Sequence, residues 1–282
     1  MKFEEKFIAF IDVLGFKNMV NNSETGKGVA LSELLDTLSK LGGQQDEHKF
    51  ESYGPSTCPQ SKYINKNLNF KVTQISDCVI ISSELSPAGI INLISHCWGA
   101  VIELLMKGIM CRGYIIKGSI YHNGNQIIGS GYQNAFAKES GVTAFKREAD
   151  ERGTPFVEID PFVCEYVKTS TDECVQEMFS RMVKTKNDVS ALFPFKQLSH
   201  SFAIGGFGQE FNHEKEKESN DKMRNRLISL KERVMNFVDP ENERAVNKAK
   251  HYIHALNEQL LVCNRTDEFI NALCLPFPAK RY

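Results

Sequence analysis

The sequence has almost no net charge: 34 basic against 35 acidic side chains over 282 residues leave −1. That balance argues against wholesale electrostatic binding of nucleic acid or of an anionic membrane, although it is compatible with a local basic patch. A disordered composition is lacking too, since 41% hydrophobic, 10% aromatic and 24% charged residues are ordinary for a folded chain. The opening M-K-F-E-E-K-F-I-A-F-I-D-V-L-G-F carries acids and only a short apolar run, so no signal peptide is expected and the expected location is the cytoplasm. The longest uncharged stretch, residues 85–102, is broken by Pro87, Gly89, Asn92, Ser95, His96 and Gly99, and reads as a buried helix with no role in a membrane. Eight cysteines occur without any C-x-x-C pair, which disfavours zinc and a disulfide framework and leaves reduced structural thiols. Gly205–Gly208 lacks the Lys-Ser/Thr of a phosphate loop and reads as a flexible turn. There is no Ser-His-Asp pattern, no basic-aromatic strand motif for RNA, no internal repeat and no low-complexity tract. His251 and His254 stand three apart without an acidic or cysteine partner at matching spacing and read as solvated.

What is present alternates between two periods. K-F-I-A-F-I-D-V-L within residues 2–14 is aromatic and β-branched, as a buried strand requires, and Gly15 should end it in a tight turn. A helix is expected over residues 27–41, and Gly42-Gly43 should stop it. Residues 44–67 are polar and aperiodic, and read as an inserted lid or binding loop. Strands are expected over 68–75 and 78–83, joined by a Ser76-Asp77 turn, followed by a helix opened by Pro87. Further strands are expected over 109–121, at 126–128 and over 155–159, with helix over 131–149 and again from Pro161. This order predicts an α+β fold: a ferredoxin-like palm, a mostly antiparallel sheet with helices on one face. Two amphipathic helices should follow, one over 213–238 and one opened by an Asp239-Pro240 cap, forming a helical C-terminal region. The expected organisation is a palm over residues 1–165 and a mostly helical extension over 166–282 packed on it.

The chemistry centres on two acids. Asp12 ends an apolar strand just before a glycine turn, and a carboxylate there is costly unless it is paired or binds a cation. Asp77 sits at the tip of Q-I-S-D-C-V-I-I, and in a β-α-β-β unit that hairpin lies beside the first strand. Two convergent aspartates with nearby backbone oxygens suit Mg²⁺ or Mn²⁺ holding a triphosphate, while the turn N–H groups face phosphate oxygens. Taken singly, each aspartate better suits a turn, Asp12 as a cap and Asp77 as the hairpin corner; the pair together favours metal.

These residues resemble a family. F-I-D-V-L-G-F is similar to the D-I/V-x-G-F signature of class III nucleotide cyclases, and I-S-D-C-V-I to their second metal-aspartate hairpin. R-G-Y-I-I-K-G-S-I-Y, residues 112–121, is similar to the family's R-x-x-I-x-x-G strand, and I-I-G-S-G-Y-Q-N-A-F-A-K-E-S follows as the strand and helix do there. The likeness spans about residues 5–160, and is stronger toward bacterial cyclase-like proteins with F-I-D-I-L-G-F and a later P-x-x-x-I-D-P, here residues 155–161. Phage-defence pyrimidine cyclases and CRISPR polymerase palms share the wider fold. The resemblance implies that Asp12, Asp77 and the Val13 carbonyl hold two Mg²⁺ or Mn²⁺ ions. It implies that Gly15, Phe16 and Ser76 surround the phosphates, that Arg112, Lys117, Asn134 and Lys138 meet the nucleotide, and that Lys138 takes a catalytic part. The implied reaction is attack of the ribose 3′-oxygen on the α-phosphate of a nucleoside triphosphate, in a homodimer and in bacterial antiviral signalling.

The sequence departs from the family where an Asn and an Arg four residues later would stabilise the transition state, because those positions read Gln133 and Ala137. The base-selecting positions fall near Thr73 and Gln126. Three readings follow: a metal-dependent nucleotide cyclase or related nucleotidyltransferase, an inactive nucleotide-binding sensor of the same fold, and an interaction module using its surface alone.

Overall fold

Residues 1–43, 46–47, 68–195 and 211–273 are described by the computed structural model. Strand β1 (Glu4–Val13) is buried on both faces through its middle, which makes it a central strand. Helices α1 (Phe16–Glu24) and α2 (Leu31–Ser39) precede the hairpin of β2 (Lys71–Ile75) and β3 (Cys78–Glu84), and α3 (Pro87–Met106) leads to the long β4 (Cys111–Asn123). Next come β5 (Gln126–Ile128), α4 (Ser130–Glu139), β6 (Val157–Ile159), α5 (Pro161–Lys168) and α6 (Glu173–Met182). The hairpin of β7 (Val183–Lys186) and β8 (Val189–Leu192) and the long helices α7 (His213–Phe237) and α8 (Glu243–Leu273) complete the described chain.

The sheet runs β2-β3-β1-β4-β6-β8-β7, with β5 paired to β4. Its first four strands stand in the order 2-3-1-4, with β1 antiparallel to both β3 and β4. That is the split β-α-β layout expected of an α+β palm. Strand β6 joins β4 in parallel, and the β7–β8 hairpin, which the sequence left unassigned, extends the sheet beyond it.

Alternation along β1 builds two cores. Phe7, Ala9, Ile11 and Val13 face Ile90, Ile91 and Ile94 of α3 together with Val163 and Val167 of α5. Ile8 and Phe10 face the other way, against Ile80, Ile120 and Ala135 of α4. One helix therefore covers the second face, because apolar side chains on that side also need shelter from water. By length and composition α3 could cross a membrane, but here it is the core helix of the sheet. Ser86 caps it by accepting the Gly89 N–H at 3.0 Å.

Several boundaries differ from the sequence expectation. Helix α1 was not expected, since its Asn18, Asn21, Asn22 and Ser23 are weak helix formers. Helix α4 stops at Glu139 where a helix to 149 was expected, and the chain after Gly141 is held in turns. The Glu158 carboxylate accepts the Thr143 and Ala144 N–H groups at 2.7 and 2.9 Å, which competes with continued helix. Helix α8 starts at Glu243, not at Pro240: Asn242 Oδ1 accepts the Ala245 N–H at 3.1 Å, while Asp239 serves the preceding turn by accepting the Glu241 N–H at 3.0 Å. The expected insert at 44–67 lies outside the described residues except for Asp46 and Glu47, and the Gly205–Gly208 turn lies wholly outside them.

The cap assignment is testable by chemical denaturation. Asn242→Ala should lose about 1 kcal/mol of stability, as loss of a helix N-cap typically does, and Asp239→Ala should lose less.

Candidate active site

The site is built where β1 ends. Asp12 lies between Cys78 of β3 and Arg112 of β4 in the register of the sheet. The Val13 N–H donates to the Asp77 carbonyl at 3.0 Å and the Leu14 N–H to the Met110 carbonyl at 2.9 Å, so the strand end is tied to the hairpin tip and to the start of β4. Asp77 is next to Cys78 in a two-residue turn whose first residue, Ser76, has φ 54°. Gly15 then takes φ 82°, a left-handed conformation that side chains disfavour, and its carbonyl accepts the Asn18 and Met19 N–H groups as α1 begins. Phe16 is buried beneath that turn.

Electrostatics single out Asp12. Burial, then the carboxylates of Glu139 and Asp77, push its pKa up to about 6, against the pull of Arg112 and Lys248. Burial, then the carboxylates of Asp12 and Asp77, push the neighbouring Cys78 thiol up to about 11, which disfavours the thiolate at neutral pH. Two carboxylates and backbone carbonyls form an all-oxygen donor set, the chemistry that Mg²⁺ and Mn²⁺ accept with water and phosphate completing the shell. Among the described residues no group of three or more His, Cys, Asp or Glu side chains is arranged to hold a metal, so a cation at Asp12 and Asp77 would need ligands beyond these side chains. The raised Asp12 pKa marks a place where a cation would relieve repulsion.

The other sequence-derived residues scatter. Arg112 is buried and ion-paired through Nε to Glu139 at the end of α4, with Gly153 so close that a Cβ there would lie 2.7 Å from Nη1. It balances the acids from below. Lys138 binds Asp160 at 2.8 Å and lies over the Tyr114 ring at 4.8 Å, while Asp160 also caps α5 by accepting the Phe162 N–H at 3.0 Å. Asn134 is exposed one turn before Lys138 on α4. Lys117 pairs with Phe7 in the sheet, which puts it on the face opposite Asp12, where its ammonium sits 4.8 Å above the Phe162 ring. The structure does not bring Lys117 to the aspartates. Thr73 is buried; its hydroxyl donates to the Gly124 carbonyl at 2.7 Å and meets His122 Nε2 at 2.8 Å, and Ser82 meets His122 Nδ1 at 2.9 Å. Burial brings the His122 pKa down to about 4, so this chain of groups holds a neutral imidazole. Gln126 is exposed.

Sequence reading missed the contribution of α8. Lys248 is pulled down to about 8 by burial and by Arg112 and Arg244, and is supported by Glu139 and Asp12, so it belongs to the same charge cluster. A cavity of about 670 Å³ opens beside the Gly15 turn, lined by Gly15, Asn18, Asn22, Asn242, Arg244 and Lys248. The available signal was two cations four apart on an amphipathic helix, which nothing in the sequence connects to β1.

No protein-family model matches the chain, and no curated protein sequence matches it. Among solved structures, the chain is similar to the guanylyl cyclase domain of the RhoGC fusion protein from the aquatic fungus Blastocladiella emersonii, at 13% identity and a TM-score of 0.35 over 68% of this chain and 96% of that one. It is also similar to the catalytic core of a rhodopsin-guanylyl cyclase with converted specificity, solved in complex with ATPalphaS, at 13% identity and a TM-score of 0.33 over 68% of this chain and 96% of that one. The fold assignment rests on the strand order of the sheet itself.

Asp12 gives a pH-dependent test. Its native pKa lies above the unfolded value, so the native state holds the extra proton between about pH 4 and 6, and the cost of ionising it is fully present above about 6. Without divalent cations, Asp12→Asn should therefore stabilise the fold, by about 1 kcal/mol more at pH 7.5 than at pH 5, as read by chemical denaturation. Mn²⁺ should stabilise the unaltered protein at pH 7.5 and should not stabilise Asp12→Asn, as read by thermal denaturation.

Proposed function

We propose that this chain is a metal-dependent nucleotide cyclase-like enzyme that uses a nucleoside triphosphate. One observation carries the reading: Asp12 is half-buried beside Asp77 at a strand end that turns directly into a left-handed glycine and a helix N-terminus. A divalent cation held by the two carboxylates would neutralise triphosphate charge and stabilise the charge that develops in phosphoryl transfer. The Gly15–Phe16 turn presents backbone N–H groups toward the phosphates. In the proposed reaction the ribose 3′-oxygen forms a bond to the α-phosphorus, the bond to the β-phosphate oxygen breaks, the hydroxyl proton leaves to solvent, and pyrophosphate departs. A cytoplasmic role in antiviral signalling is part of the proposal and comes from the sequence resemblance alone.

Homodimerisation belongs to the same reading. Ile75, which is 48% exposed, shares the Asp12 face of the sheet through its pairing with Cys78, and Phe136, which is 57% exposed, packs against Phe10 from that side. Apolar side chains left open around a site suit a second subunit. A specific observation favours the second reading, a binding protein without turnover: Arg112 and Lys138 are both engaged by carboxylates, so neither is free to meet a transition state.

Incubation with each of the four nucleoside triphosphates and Mn²⁺ should yield pyrophosphate and a cyclic nucleotide. Asp77→Ala should reduce the yield about a hundredfold or more, because metal stabilisation of the transferring phosphoryl group is worth several kcal/mol. Saturable nucleotide binding without product would instead establish the binding reading. In sedimentation velocity the unaltered chain should run as a dimer and Phe136→Glu as a monomer.

A further inference from the structure

We infer that Arg244 and Lys248, carried by the C-terminal helix α8, form the polyphosphate end of the nucleotide site and bind the β- and γ-phosphate oxygens of a triphosphate whose α-phosphate lies toward Asp12 and Asp77. This rests on the nucleotide reading of the Asp12–Asp77 cleft and adds to it a pair of residues outside the region of sequence resemblance.

The two side chains stand four apart, hence on one side of the helix, and both line the cavity of about 670 Å³ beside Gly15. Among the described residues neither makes a hydrogen bond or an ion pair, unlike Arg112, Lys138 and Lys184, which each have a carboxylate partner. Cations gathered in a cavity and not ion-paired to a protein acid are arranged for an anion from outside. Asp239 is the one acid lining that cavity among the described residues, and its carboxylate already accepts the Glu241 N–H. The amide side chains of Asn18, Asn22 and Asn242 on the same wall add neutral donors.

Arg244 and Lys248 also border a second cavity of about 580 Å³, where Arg147, Arg152 and Lys250 join them but Glu148, Asp150, Glu151 and Glu243 stand among the cations, so a polyanion there would meet acids as well. The Gly15 cavity has a single acid in its lining, and it adjoins the turn that leaves Asp12. Lys248 connects the two halves of the site, since it lies close enough to Asp12 and Glu139 to feel both charges. The arrangement supplies the positive charge that α4 lacks at Gln133 and Ala137, and it supplies that charge from a different element.

The test uses inorganic tripolyphosphate without divalent cations, measured by titration calorimetry on the full chain. Arg244→Gln and Lys248→Gln should each weaken binding about tenfold or more, as loss of one charge-assisted contact does. The salt dependence should become shallower in both variants. Lys248→Arg should restore most of the affinity, and Lys222→Gln, on the exposed side of α7, should leave it unchanged; matched melting curves exclude misfolding as the cause. Unchanged tripolyphosphate affinity in the two Gln variants, or no binding by the unaltered chain, would overturn the inference. The cleft reading is scored separately by pyrophosphate release with Asp77→Ala as control, so the two can fail independently.

Discussion

Asp12 is a carboxylate half-buried beside two others, and the molecule is arranged around the cost of that placement. A lone aspartate at the end of a central strand would lose its hydration without compensation. Here burial and the charges of Glu139 and Asp77 act in the same direction, and together they raise its pKa to about 6. The sheet register leaves no easy retreat, because Asp12 is flanked by strands on both sides and its neighbour Val13 is bonded to the hairpin tip. The repulsion has to be met by cations instead. Arg112 meets part of it from the adjacent strand, and Lys248 meets part of it from a helix more than 200 positions away in sequence.

The Arg112–Glu139 pair shows how the compensation is distributed. A buried pair of this kind gains little net stability, since desolvation of both ions offsets their attraction, but removal of one partner leaves an uncompensated charge. Glu139 therefore has two opposite effects: it neutralises Arg112 and it repels Asp12. The result is a site whose fixed cation is already spoken for and whose acid is short of positive charge. That imbalance separates the chain from one in which aspartates merely make turn corners, where solvent or backbone N–H groups satisfy the carboxylate at little cost. The cations of the palm are engaged elsewhere. Each cation chosen for its place in the palm, namely Arg112, Lys117 and Lys138, has a local partner in a carboxylate or an aromatic face.

Legibility in the sequence followed the range of the interactions. Period-2 and period-3.6 apolar patterns are local, and β1, the β2–β3 hairpin, α3, β4 and the two long helices were all readable from them. So was the meeting of Asp12 and Asp77, because a β-α-β-β order has few ways to lay its hairpin beside its first strand. Local competition was harder to see. Glu158 captures the Thr143 and Ala144 N–H groups across a turn and ends the helical stretch, and Asn242 displaces Asp239 as the cap of α8. Least legible were the strands β7 and β8, only four residues each, which are strands because an open sheet edge was there to receive them. The role of Lys248 was of the same kind: its helix looks like any amphipathic helix until its neighbours are known.

That dependence makes the C-terminal helices part of the site, not an appendage to it. The Phe237 ring at the end of α7 lies 3.6 Å from where a Gly15 Cβ would stand, so the glycine turn is roofed by this hairpin. Gly108, at φ 80° between α3 and β4, allows the Arg233 carbonyl so near that any Cβ there would lie 2.4 Å from it. Beneath, Tyr252 of α8 packs with Phe156 and Phe195 in a core that also holds Leu14 and Met110, the residues flanking the end of β1. The same contacts that bury Tyr252 therefore fix the position of Lys248 one turn earlier on that helix. A phosphate-binding lysine on a mobile tail would lose side-chain and backbone entropy on meeting its ligand, whereas one anchored by a buried aromatic has already lost most of it in folding. The hydrophobic packing of α8 against the end of the sheet is, on this argument, what makes a distant cation available to Asp12 at all.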